Sequence, residues 1–408
     1  MKRTAVALAA LAAVVAFSGS ASAQSNVQVY GITDIGVSYV SKAAAVTAAE
    51  PRGTGSTAGV DSGLLQSSRL GYRGTEDLGG GLRASFVLEG GLAVDSGTFT
   101  QGGLPFGRRA TVGINGPAFG DLQLGRRKDF TDEIAEPFSS ITPFGTFITR
   151  VHSNNMDRVG GNRANNMIYY STPRWGGFRA NVSYGFGESP LGTSVGQSMG
   201  FGAIYNTEGF GVGAGYWTSK LGTISGSTNS SSDQGAPTGA GCSNAALGAA
   251  GDTCIRTWIA GARYKVGAWH VHGSYSRVAQ PLIRSGAGAT PNFTANFTRA
   301  TGSNPFTAGG TNNDRASIID LGTEYASGLW KVKGSVIRSS YHFIGAAAKG
   351  TLTQLTAGGE YRLSKRTTLY ATGARLVASR MYSPGILGAA PGVDNTTFAF
   401  GSGIRHTF

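Results

Sequence analysis

The chain has 408 residues, a formal net charge of +13, a charged fraction of only 14% and 65 glycines. That length would accommodate two or three soluble domains, but abundant glycine with sparse charge argues against them. The basic excess does not point to nucleic acid, because the arginines are spread along the chain and form no basic run.

At the N-terminus, Lys2 and Arg3 precede an uncharged apolar stretch from Ala5 to Phe17. Small residues then end in Ala21-Ser22-Ala23, followed by Gln24. This three-part layout predicts a secretory signal peptide over 1–23, cut after Ala23, with 24–408 as one mature domain. The apolar stretch is too short to span about 30 Å of hydrocarbon as a helix. After Gln24 no apolar run approaches the ~18 residues of a spanning helix, so a membrane crossing would require a closed barrel with every strand paired.

Beyond that point the dominant signal has period two. Leu82, Ala84, Phe86 and Leu88 alternate with Arg83, Ser85, Val87 and Glu89. Phe178, Ala180, Val182, Tyr184 and Phe186 alternate with Arg179, Asn181, Ser183 and Gly185. Trp269, Val271, Gly273 and Tyr275 alternate with His270, His272, Ser274 and Ser276, and Phe398, Phe400, Ile404 and Phe408 with Thr397, Gly401, Gly403 and Arg405. Side chains of a strand point alternately to its two faces. Alternation alone also fits a soluble sandwich with its apolar face inward. Strands of about ten residues, short turns such as Glu76–Gly80 set against long polar loops such as 221–252 and 281–313, and aromatics at strand ends favour the outer-membrane arrangement, apolar face outward.

In chain order the predicted strands are 27–40, 66–74, 81–94, 106–114, 121–128, 163–172, 177–187, 198–207, 209–220, 253–266, 268–279, 314–327, 329–341, 351–364, 366–378 and 394–408. The fold class is all-β: a 16-stranded antiparallel transmembrane β-barrel with both termini on the periplasmic side.

Several ordered motifs carry a family resemblance. Ser67–Leu82 (SSRLGYRGTEDLGGGL), Phe106–Gly113 (FGRRATVG), Gly120–Arg127 (GDLQLGRR), the opening Val29–Asp34 and the closing Gly403–Phe408 resemble motifs of the Gram-negative general porins, in their beta-proteobacterial branch. The resemblance implies a homotrimer in outer-membrane lipid and a third extracellular loop, here about 129–161, folded into the lumen as a constriction. A loop lying outside is the plainer alternative. On this pattern Asp129, Asp132, Glu133 and Glu136 are constriction-loop acids, and the terminal Phe408 is the signal read by the barrel-assembly machinery.

Strand parity places Arg69, Arg73, Arg83, Arg109 and Arg127 on the lumen side of four adjacent strands, as a basic ladder. Arg163, Arg179, Arg263, Lys265, Lys331, Lys333 and Arg405 also point inward by parity, as do the acids Asp34, Glu89, Asp320, Glu324 and Glu360. A slip of one residue would reverse any of these assignments. His270 and His272 share the inward face but have no cysteine or carboxylate at a recognisable spacing, so they read as solvated lumen histidines and not as metal ligands. Cys242 and Cys254, exported and close in sequence, are expected to form a disulfide. No catalytic, cofactor or metal motif is read. The expected function is passive passage of small hydrophilic solutes and ions, preferring anions. The alternatives are a solute-specific channel, which one solute would block saturably, and a barrel enzyme such as a lipase or protease, which a single Ser or His substitution would silence.

Overall fold

The computed structural model describes residues 26–42, 55–129, 133, 136–152, 157–159, 163–188, 197–219, 255–279, 313–343, 349–381, 383, 385–387 and 395–408. The predicted signal peptide, Asp132, Cys242 and Cys254 lie outside these residues. Among the described residues no helix is long and apolar enough to cross a membrane.

The strands are β1 (Asn26–Val40), β2 (Thr57–Ser62), β3 (Arg69–Gly79), β4 (Leu82–Ala93), β5 (Thr98–Phe99), β6 (Arg109–Gly116), β7 (Gly120–Lys128), β8 (Arg163–Ser171), β9 (Phe178–Gly185), β10 (Ser198–Asn206), β11 (Phe210–Ser219), β12 (Ile255–Val266), β13 (Trp269–Ala279), β14 (Asn313–Ser327), β15 (Trp330–Phe343), β16 (Gly350–Arg362), β17 (Thr367–Ser379) and β18 (Thr396–Thr407). All except β2 and β5 form a closed, antiparallel wall of sixteen, each strand paired with the next. Closure comes from β18 against β1, with Asp34 opposite Arg405. All sixteen predicted strands are present. The second runs further than expected, to Gly79, so its turn falls at 79–82 and not at Glu76–Gly80.

The faces follow the predicted alternation. On β9, Phe178 and Val182 are 40% and 52% exposed, whereas Asn181 and Ser183 are 4% and 2% exposed. On β13, Trp269, Val271 and Tyr275 are exposed and His272, Ser274 and Ser276 are buried. An apolar exterior of this kind is stable only against hydrocarbon. Aromatic pairs gather at the short-turn end: Trp269 with Tyr325, Trp330 with Tyr361 and Phe119 with Tyr170. Their amphipathic rings suit the membrane interface.

Two tight turns at that end begin with glycine, Gly267 at φ 58° and Gly328 at φ 59°. A positive φ at the first turn position matches the twist of the flanking strands and excludes most side chains. Gly31 serves a different need. A Cβ there would fall 2.3 Å from the Phe408 ring, while Gly31 and Phe408 exchange backbone hydrogen bonds of 3.1 Å in both directions. The last residue therefore lies flat over the first strand and seals the seam.

Two features depart from a plain barrel. β2 pairs with Ile35–Val40 of β1, above the stretch of β1 that pairs with β3. Between β2 and β3 the chain leaves the wall. Asp34 holds it there: the Asp34 N–H donates to Ser68 Oγ at 2.9 Å, the Gly63 N–H donates to Asp34 O at 2.7 Å and the Gln66 N–H donates to Asp34 Oδ2 at 2.8 Å. Leu64 and Leu65 are buried as a result.

The second departure concerns the inward face, which was expected to be small, polar and charged. Over part of β14–β17 it is apolar: Ile318, Ile337, Tyr341, Leu352 and Leu376 are buried in one cluster with Phe144, Phe147, Ile148 and Val151 of the third long loop and with Leu64 and Leu65. These strand residues lie on the same faces as Asp320, Lys333, Gln354 and Thr372, so the loop packs against the inward side. Burying an aromatic or large aliphatic side chain is worth roughly 1.5–3 kcal/mol, so four from the loop hold it firmly.

Candidate functional site

The third long loop carries a 3₁₀ turn, Glu136–Phe138, one α-helical turn, Ile141–Phe144, and a second 3₁₀ turn, Gly145–Ile148. Its polar groups are tied to the wall. The Ser140 N–H and hydroxyl both donate to Asp320, at 2.6 and 2.5 Å. Lys333 donates to Pro143 O, Ser339 to Val151 O, and Gln354 Nε2 to Phe147 O at 2.9 Å. His152 sits between two carboxylates, 2.6 Å from Asp157 and 3.3 Å from Asp320, and Ser276 donates to Asp157 at 2.7 Å. Burial alone would push His152 down. The Asp157 carboxylate, then the Asp320 carboxylate, overcome this and raise it to about 10, so the ring is a buried cation at neutral pH.

Between this loop and β3, β4, β6, β7, β8 and β18 lies a cavity of about 550 Å³, whose lining includes Arg69, Arg108, Arg109, Arg127, Lys128, Arg163 and Arg405 against Glu89, Glu133 and Glu136. Seven basic groups thus face three acids. Arg108 is neutralised by Glu89 at 2.6 Å, and Arg405 pairs with Glu360 at 3.2 Å. Arg127 lies 3.4 Å over the Tyr169 ring and pairs with Glu133 at 2.8 Å. Arg69 and Arg109 differ, because among the described residues they bond only to uncharged oxygens: Arg69 Nε to Ser67 O at 3.1 Å, and Arg109 to Thr111 Oγ1 at 3.1 Å and Gln123 Oε1 at 2.7 Å. These bonds fix the guanidinium groups without cancelling their charge.

The predicted ladder therefore divides. Arg69, Arg109 and Arg127 line the cavity. Arg73 donates to Gln28 at 3.1 Å and lies over Tyr30, and Arg83 stands opposite Asp77 and Asn115 nearer the short-turn end, so neither contributes to the lining. Arg108 and Lys128 were missed. Arg108 precedes β6, where alternation has not begun, and a register shift between Gly125 and Arg127 breaks the parity of β7 ahead of Lys128.

The predicted loop acids also divide. Asp129 is fully buried in an ion pair with Arg158, so its charge is spent inside the protein. Glu133 and Glu136 line the cavity. Burial would raise Glu133, but the guanidinium groups of Arg127, then Arg179, hold it below the usual carboxylate range. The Tyr169 hydroxyl also donates to it at 2.8 Å.

A closed, sixteen-stranded antiparallel barrel with an apolar exterior and a charged interior is an outer-membrane channel fold. The chain belongs to the Gram-negative porin family, whose sequence profile matches residues 7–379. It is 42% identical over 208 residues to outer membrane porin protein 32 of Delftia acidovorans, covering 49% of this chain and 55% of that protein. It is 34% identical over 222 residues to an outer membrane porin protein of Bordetella pertussis, covering 53% of this chain and 56% of the relative. The chain thus spans about half the length of the curated relatives it matches. Its structure is similar to an anion-selective porin from Comamonas acidovorans, with TM-score 0.66 and 27% identity over 94% of this chain and all of the other. At 15% identity and TM-score 0.63, Salmonella typhi OmpF shares the fold. The family and these relatives are porins, which points to a channel rather than an enzyme.

Proposed function

We propose that this barrel is a water-filled pore for passive diffusion of small hydrophilic solutes and ions, with a preference for anions. The observation that carries this reading is the pair Arg69 and Arg109, fixed on the cavity wall by neutral partners, with Arg127 beside them. The similarity to an anion-selective porin agrees with it. The third loop sets the size cut-off, and the lining charges set the sign of the preferred ion. No covalent step is involved. In planar bilayers the purified protein should give stepwise conductance that grows with bulk KCl. Absence of channel steps from folded protein would reject the reading.

The mature chain begins at Gln24, works as a homotrimer and reaches the membrane through the barrel-assembly machinery, which reads Phe408. Its closed wall leaves no strand edge free, and such barrels resist detergent. Unboiled protein should therefore run as a folded oligomer on a detergent gel and boiled protein as a monomer. A folded monomer before boiling would remove the trimer.

Cys242 and Cys254 are the chain's two cysteines. In an oxidising compartment they pair, and closing a loop of this length contributes roughly 3 kcal/mol in the chain-entropy model. Intact-mass analysis of protein isolated without reductant should show no free thiol. Two alkylatable thiols would refute the bridge.

A further inference from the structure

His270 and His272 lack a carboxylate neighbour in sequence, but strand pairing supplies one. β13 and β14 place His270 opposite Glu324 and His272 opposite Gly322. One ligand atom from each of His270, His272 and Glu324 lies within 4.8 Å of the other two. His270 Nδ1 is 3.4 Å from Glu324 Oε1, and His270 Nε2 is buried without a hydrogen-bond partner. Gly322 makes room for the group, since a Cβ there would fall 2.3 Å from His272 Nε2. The two rings stand 6.0 Å apart between centroids, inclined at 44°.

We infer that His270, His272 and Glu324 form a lumen-wall binding site for a divalent transition-metal ion of the imidazole-preferring kind, such as zinc(II) or copper(II). Two imidazole nitrogens and one carboxylate oxygen are a recurrent set for these ions, whereas calcium and magnesium select oxygen ligands alone. Metal–nitrogen bonds of about 2.0–2.1 Å place tetrahedral ligands about 3.3 Å apart. The present separations therefore close by rotation about the terminal His and Glu torsions, which are broad. Three protein ligands leave a fourth position open to lumen water, so the ion exchanges with solution.

The surrounding charges set the competition. Lys331 is 3.0 Å from Glu324 Oε2, and its side chain is 39% exposed. Lys333 stands opposite Glu324 but is committed to Glu360 at 2.6 Å. Lys265 and Arg263 of β12 stand opposite His270 and His272. Lys265 is 3.6 Å from Glu208, and Arg263 bonds to Asn206 and Thr207. On the remaining side Asp320 is held by Ser140 and His152, and Ser140 Oγ is 3.2 Å from His272 Nε2. Lys331 is thus the competitor that an arriving cation displaces from Glu324.

The test is a zinc(II) titration of the untagged, full-length barrel in detergent, near neutral pH, in competition with a fluorescent zinc indicator. It reads no current and is independent of the channel reading. One saturable equivalent per chain is expected. H270A and E324Q should each weaken it by about tenfold or more, the scale of losing a ligand or its close support. K331Q should strengthen it several-fold, and H342A, distant in the fold, should leave it unchanged. Heat-shifted gel mobility establishes that each variant is a folded barrel, with H270N and H272N replacing any that is not. Wild-type protein that binds no stoichiometric zinc, or zinc binding that survives both H270A and E324Q, overturns the site.

Discussion

Asp320→Ala is expected to loosen the hold of β13 and β14 on the third loop. Asp320 accepts two hydrogen bonds from Ser140 and faces His152 at 3.3 Å, all buried. Its removal leaves the His152 cation with one carboxylate instead of two. His152 stays paired with Asp157, so the main cost is that of the two buried Ser140 donors left unsatisfied, about 1–3 kcal/mol each. The apolar cluster of Phe144, Phe147, Ile148 and Val151 still holds the loop, so the barrel survives and the loop fluctuates. Single-channel current at fixed voltage should become noisy, and proteolysis should cut within the loop. A quiet channel of wild-type conductance would show that this network does not anchor it.

The same network has a pH signature. His152 is raised from an ordinary 6.5 to about 10, so the stabilisation from its charged form is fully present below about pH 6.5 and is lost as pH rises through about 10. Wild-type channels should be quiet at neutral pH and acquire the Asp320→Ala noise near pH 10.

How much of this could be read from the chain depends on the range of each signal. Period two is local, so Phe178, Val182, Asn181 and Ser183 declare their faces without help from other strands. The pattern fails where the interior is filled by protein. Ile318, Ile337, Leu352 and Leu376 are apolar on an inward face because the third loop covers them, and no window of one strand contains that loop. Sequence spacing could not join His270 to Glu324, which meet only through strand register. Nor could it see that Arg158 cancels Asp129, or that the shift near Gly125 brings Lys128 beside Arg127 at the cavity. Arg69, Arg109 and Arg405 were legible because they stand on regular strands, whereas Arg108 precedes its strand. A loop has no parity, so the sequence could not separate Glu133 and Glu136, which line the cavity, from Asp129, which is buried.

Replacing Arg69, Arg109 and Arg127 together by glutamine should abolish the anion preference and move the reversal potential toward cations. One charge about 6 Å from an ion is worth roughly 0.7 kcal/mol at the dielectric constant of water. Several such charges, partly offset by Glu133 and Glu136, leave about 1–2 kcal/mol, a preference of roughly 5- to 30-fold. Arg127→Gln also unmasks Glu133, which adds to the shift. The Debye length falls from about 10 Å at 0.1 M salt to about 3 Å at 1 M, so the wild-type preference should weaken markedly over that range. A triple variant that keeps the wild-type selectivity would mean that these arginines do not face the ion path.

The central claim, a wet pore whose fixed basic charge selects anions, is tested most directly by the zero-current potential of the wild-type protein across a planar bilayer in a KCl gradient. The predicted sign is that of chloride flowing more readily than potassium, strongest in dilute salt. A potential of the opposite sign, with potassium preferred, would contradict the account.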